Sequence, residues 1–142
     1  MASGLFPPAL DCVTGAVDYD TDTFYVKLLQ SGYTPNFDTH TRRSDLTNEA
    51  PATGGYTAGG VSVTVSVAAF NTATNRRVIT LGGTTFAAST ITARYAAYYK
   101  RRGGAASADE LIGLNDFGSD LSSSGGNFVV NASTFEIELN AA

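Results

Sequence analysis

The chain has 142 residues, of which 43% are hydrophobic and only 15% charged, with a formal net charge of −4. That length suits one domain around a single core, and the hydrophobic share is too high for a disordered chain. The acidic balance argues against wholesale nucleic-acid binding, and a lone cysteine, Cys12, precludes an internal disulfide.

Residues 1–8 read as an irregular extended arm, because Pro7 and Pro8 block a helix before them. No basic region precedes an apolar run there, so no signal peptide is expected. No stretch approaches the ~20 apolar residues of a membrane span, so no membrane partner is expected and the protein is expected to be made and folded in a cytoplasm. Over residues 9–17, Leu10, Val13 and Val17 have helical spacing, and Cys12 and Ala16 extend the apolar stripe. One or two helical turns packed on a sheet are predicted, with Cys12 a buried, inert thiol.

Residues 23–30 alternate as a strand, with Phe24, Val26 and Leu28 on one face and Tyr25, Lys27 and Leu29 on the other. Residues 33–60 form a long polar connection that includes Arg42 and Arg43, with a helical turn near residues 44–48 and glycine pairs at 54–55 and 59–60. Residues 61–67 read as one strand of alternating valines. A strand at 76–81 and the pair Gly82 and Gly83 lead into residues 84–87. Residues 90–100 alternate strictly, with Ile91, Ala93, Tyr95, Ala97 and Tyr99 facing inward and Arg94, Tyr98 and Lys100 facing outward. Further strands are predicted at 110–117, 127–130 and 134–139.

Seven or eight short strands with glycine-rich turns and one minor helix point to an all-β fold. The expected form is an antiparallel β-sandwich, jelly-roll-like, over residues 9–142 as a single domain behind the 1–8 arm.

Chemistry is sparse. Asp18, Asp20 and Asp22 resemble the opening of a calcium loop, but Thr23 stands where the turn glycine belongs and Leu29 where the closing glutamate belongs. His40 is the only histidine. Its neighbours Asp38 and Ser44 lie in the same loop and form no nucleophile elbow, so His40 reads as a surface residue capping a backbone carbonyl. No metal, cofactor, catalytic residue or small-molecule ligand is expected. Tyr98 beside Arg94, Arg101 and Arg102 makes an aromatic-cationic face of the composition favoured at protein interfaces. The N-terminal half is acidic, which suits a solvated face or docking on a basic partner.

Two blocks carry a resemblance. The first is residues 22–29 followed by Tyr33–Asn36, Thr39, His40 and Ser44–Leu46; the second is residues 91–96, 111–114, 116–120 and 127–130, with 55–61 between them. In their order and spacing they resemble a family of small tailed-bacteriophage virion proteins, similar to head decoration or cement proteins. The local cations at Arg76, Arg77 and 100–102 exceed what such a domain usually carries. The resemblance implies a non-enzymatic virion component on the head surface, with the major capsid protein and further copies of itself as partners. A tail, baseplate or fibre-associated host-binding protein is the alternative, although the absence of Trp weakens a sugar-binding role. On this reading Leu5 and Phe6 in the arm order on a neighbouring subunit. Arg42 and Arg43 in the long loop, and Arg94, Tyr98, Arg101 and Arg102 around the alternating strand, are the expected contact residues.

Overall fold

The computed structural model describes residues 3–139. Among them are ten strands: β1 (Gly4–Leu5), β2 (Phe24–Leu29), β3 (Val61–Val63), β4 (Val65–Val67), β5 (Arg76–Leu81), β6 (Thr84–Ser89), β7 (Thr92–Lys100), β8 (Leu111–Ser122), β9 (Gly126–Val130) and β10 (Ser133–Glu138). Short 3-10 helices cover Pro7–Val13, Arg43–Asp45 and Ala106–Ala108. The fold is all-β and antiparallel, in three open sheets ordered β1-β8-β7-β2-β3, β10-β5-β4 and β6-β9.

The two smaller sheets are one ribbon with a break. Leu81 lies opposite Ser133 and Thr84 opposite Val130, so the gap is two residues on each strand and the register carries across. The ribbon turns over at that gap. Ile79 and Leu81 face the core before it, with Phe135 and Ile137 packed alongside; Phe86, Phe128 and Val130 face the core after it. A Cβ on Gly83 would come within 2.7 Å of the Val130 carbonyl oxygen, which explains a glycine at the turning point.

Residues 61–67 do not form one strand. The chain breaks at Thr64 and passes from the five-stranded sheet (β3) to the three-stranded one (β4). Its valine alternation survives the crossing, because Val65 still enters the core at 2% exposure.

The five-stranded sheet is covered on both faces. One face meets Val65, Ile79, Leu81, Phe86, Phe128 and Val130 through Phe24, Val26, Leu28, Ala96 and Tyr98. The opposite face carries Leu29, Tyr95, Tyr99, Leu111 and Leu114 against Phe6, Tyr33 and Leu46. The long 33–60 connection therefore lays part of a second core on the sheet.

That burial corrects the reading of β7. Its strict alternation is interrupted between Ala93 and Tyr95, where residues 117–120 of β8 bulge out opposite Arg94. Gly118, at φ +84, supplies the left-handed backbone in that bulge. Beyond the bulge the faces exchange: Ile91 and Ala93 share a core with Ala96 and Tyr98, while Tyr95, Ala97 and Tyr99 enter the other. Tyr98 is fully buried, and its hydroxyl donates to the Gly82 carbonyl at 2.8 Å.

The N-terminal segment is likewise no free arm over its described part. Gly4 and Leu5 pair with Leu114 and Gly113 of β8, Phe6 is 1% exposed, and the Phe6 N–H donates to Ile112 at 2.9 Å. Met1 and Ala2 lie outside the described residues. The helix begins at Pro7, earlier than expected, and is 3-10 in form. With three residues per turn, Phe6 and Ala9 stack inward while Leu10 and Val13 share the outer side at 50% and 87% exposure. Cys12 is exposed, not buried.

Candidate functional site

The arginines singled out in the sequence fall into two places. Arg42, Arg43, Arg101 and Arg102 gather at one end of β7, where the chain leaves the strand; Arg94 lies at the bulge. The gathering has a structural cause. Asp109 and Glu110 are buried at the start of β8 and need charge partners there.

Arg43 Nε donates to Asp109 Oδ2 at 2.6 Å, and the Arg102 N–H donates to Asp109 Oδ1 at 2.9 Å. Arg102 grips Glu110 through Nε at 3.1 Å to both oxygens and through Nη2 at 2.7 Å. Arg42 Nη1 approaches the same carboxylate at 3.1 Å. Burial pushes the Glu110 carboxyl up, but the Arg102 hydrogen bonds and the nearby Arg42 outweigh it and hold the group below its usual range. The backbone seals the arrangement, with Arg43 N–H donating to Asp109 O and Leu111 N–H to Thr41 O. The cluster thus pins the long loop to the sheet, and each of these three arginines keeps part of its side chain open, 42% for Arg42 and Arg102 and 23% for Arg43.

Arg101 differs. Among the described residues no carboxylate pairs with it; its guanidinium lies 4.4 Å from the centroid of the Tyr25 ring. Tyr25 is 6.1 Å from Tyr99, and Arg43 sits 5.2 Å over the Tyr99 ring, so two cations flank two aromatic rings. Such cation–π contacts are worth roughly 0.5–1 kcal/mol at exposed sites and hold the guanidinium in place without consuming its donors.

Beside this stack lies a cleft of about 240 Å³ lined by Arg43, Glu49, Gly59, Tyr99, Arg101 and Gly103, among others. Its floor is fixed by hydrogen bonds. Glu49 Oε1 accepts from Tyr56 OH at 2.7 Å and from Gly59 N–H at 2.5 Å, while Glu49 Oε2 pairs with Lys27 Nζ at 2.9 Å. Burial pushes Glu49 up, yet the bonds from Lys27, Gly59 and Tyr56 leave it below its ordinary value. The Tyr99 hydroxyl donates to Gly59 O at 2.6 Å, and burial pushes its pKa up to about 12. With Glu49 and Asp109 each neutralised by a cation, Arg101 leaves the cleft with a positive charge that no described carboxylate pairs.

The remaining sequence candidates lie elsewhere. Arg94 Nε donates to Asp116 Oδ1 at 2.7 Å and its guanidinium stands 5.5 Å from the Tyr95 centroid. Tyr98 and Phe6 are core residues with no free side chain for a partner, while Leu5 is half-buried in the β1–β8 pairing. Sequence reasoning missed Tyr25 and Glu49. The alternation of residues 23–30 put Tyr25 on the face away from the main core, which was the available signal.

His40 Nδ1 lies 2.8 Å from the Tyr33 hydroxyl, so its partner is a phenol and not a backbone carbonyl. Asp22 Oδ2 accepts from the Asp18 N–H and pairs with Lys100 at 2.7 Å, and Asp18 Oδ1 accepts from the Asp20 N–H. These acids close a turn into β2. Among the described residues no group of three or more His, Cys, Asp or Glu side chains is placed to hold a metal ion. No described helix is long and apolar enough to cross a membrane. Comparison with protein-family models, with curated proteins and with solved structures finds no match for the chain.

Proposed function

We propose that the protein is a non-enzymatic structural component of a phage virion, a capsid decoration (cement) protein that binds the outer surface of a major capsid protein shell and stabilises the head. Its architecture on this reading is a jelly-roll-like sandwich, acting as a homo-oligomer on the shell without cofactor, nucleic acid or membrane. The observation that carries the docking surface is Arg101, a cation without an ion pair among the described residues, held on Tyr25 beside Tyr99 and Arg43. Arginine and tyrosine side chains fixed in place lose little entropy on contact and suit a partner surface rich in carboxylates. The sequence blocks that resemble decoration proteins supply the class of partner.

Arg42 and Arg102 extend the same face, with side chains 42% exposed. Each contact adds little alone, and repetition over many copies on a shell converts modest affinities into firm clamping. Phe6 and Tyr98 leave the docking surface on this reading, and Arg94 belongs to a separate patch. A tail or baseplate location would use the same cationic-aromatic face on a different virion protein.

The test is addition of purified protein to shells that lack it. Arg101→Glu should reduce retention on shells by at least about tenfold, as expected when an acidic partner surface meets like charge, and lower the melting temperature by no more than a few degrees, the scale of the lost cation–π contact. Equal retention of the variant would remove Arg101 from the docking surface.

A further inference from the structure

A second surface, remote in the sheet order from the arginine face, is the free edge of β10. The strand closes one side of the β10-β5-β4 sheet, and among the described residues no strand lies beyond it. The Leu139 N–H donates to Asn75 O at 2.9 Å, which fixes the phase of the ladder. In an antiparallel pair the hydrogen-bonded residues alternate, so residues 133, 135, 137 and 139 direct their N–H and C=O groups to β5. Thr134, Glu136 and Glu138 direct theirs outward, and all three residues are exposed.

Six residues of open edge form a template for a further strand unless something repels it. Glu136 and Glu138 supply selective repulsion. They share one face of β10, with side chains 56% and 45% exposed, and are held by Arg76 at 2.7 and 3.2 Å. Two carboxylates against one guanidinium leave a net negative edge. In a self-pairing of β10 centred on Glu136, antiparallel symmetry would set Glu136 against its own copy, and like charges placed opposite destabilise a pair. The edge therefore disfavours its own copy.

The other face of the edge is apolar. Ile137 and Leu139 point there, beside a cleft of about 220 Å³ lined by Phe70, Arg77, Ile137, Glu138 and Leu139. Leu139 is 69% and Phe70 37% exposed. Arg77 occupies the cleft wall with Nη1 on the Ala68 carbonyl at 3.1 Å, which disfavours a second cation on that side.

We propose that β10 is a strand-addition site for a partner protein's extended segment in which cationic and apolar side chains alternate. The cations pair with Glu136 and Glu138 on one face, and the apolar side chains pack by Ile137, Leu139 and Phe70 on the other. The outward N–H and C=O groups of Thr134, Glu136 and Glu138 supply the ladder. This site stands independently of the shell-binding role.

The experiment uses the full chain and a capped synthetic heptapeptide of sequence KVKVKVK, with EVEVEVE as its charge-reversed control. Residue-resolved amide exchange by NMR, at saturating peptide, should slow at Thr134, Glu136 and Glu138 by at least about tenfold, the mark of new ladder hydrogen bonds. The doubly neutral variant Glu136→Gln, Glu138→Gln, which relieves no core contact, should bind the basic peptide about tenfold more weakly. The acidic peptide should leave the three amides unchanged. Binding without protection at these amides, equal affinity of the neutral variant, or no binding at millimolar peptide would each overturn the proposal.

Discussion

At the residue scale, the arginines are distinguished by what each is bonded to. Arg42, Arg43 and Arg102 neutralise two carboxylates buried at the start of β8, and removing either acid or base would leave an unpaired charge. Arg101 has no such duty. Their gathering is not legible in the sequence, since Arg42 and Arg102 are sixty positions apart and their meeting depends on Asp109 and Glu110. The acids were legible as charges but not as buried ones, because the helical turn at Ala106–Ala108 that tucks them inward leaves no periodic trace. A pH dependence follows. Glu49, Glu110 and Asp116 are all held below their ordinary values, because hydrogen bonds from Lys27, Arg102 and Arg94 outweigh burial. A depressed carboxyl stabilises the fold fully above its unfolded value, here 4.5 for Glu and 3.8 for Asp, and loses that contribution as pH falls through the lower folded value. The melting temperature should therefore hold steady down to the ordinary carboxylate range and fall below it. Glu110→Gln should lower the melting temperature at neutral pH and weaken its dependence on acid; an unchanged acid limb would remove Glu110 from the set.

At the element scale, most strands were readable from period-two alternation, and the boundaries at Arg76–Leu81 coincide with the expected ones. The departures share a cause: the pattern cannot register a break in pairing. The bulge opposite Arg94 exchanges the faces of β7, so a strand that looked inward-outward throughout is buried on both sides and hides Tyr98. The crossing at Thr64 splits one valine run between two sheets, and the pairing that fixes Gly4 and Leu5 is with residues more than a hundred positions away. The N-terminal segment gives the clearest consequence. Phe6 packs with Phe37 at 5.1 Å between ring centroids and sits in the second core. Phe6→Ala should cost about 3–5 kcal/mol of stability, as for other buried aromatic truncations. Deleting residues 1–8 should destabilise at least as much, read from chemical denaturation. A truncated protein with native stability would restore the free arm.

At the scale of the whole molecule, the five-stranded sheet is covered by the smaller sheets on one side and by the N-terminal segment and the 33–60 loop on the other, so the molecule holds two cores. Its two open features are unlike in charge: the positive, aromatic end at Arg101 and the negative edge at Glu136 and Glu138. On the proposed role, such separate surfaces would meet different neighbours, and complementary potentials suppress the wrong pairings. The all-β class was legible in the sequence, because short alternating segments with glycine turns admit few other folds. The proposed docking face was legible only in part, through its arginines, since the ring under Arg101 comes from β2 and the ring under Arg43 from β7, strands joined by pairing and not by proximity in sequence. The measurement that bears most directly on the proposed role is a cryo-EM map of the parent virion with this chain fitted. The account predicts density repeating over the outer surface of the icosahedral shell, with Arg101 and Tyr25 turned toward the capsid protein. Density confined to the tail, or a shell-bound copy with that face turned to solvent, would contradict it.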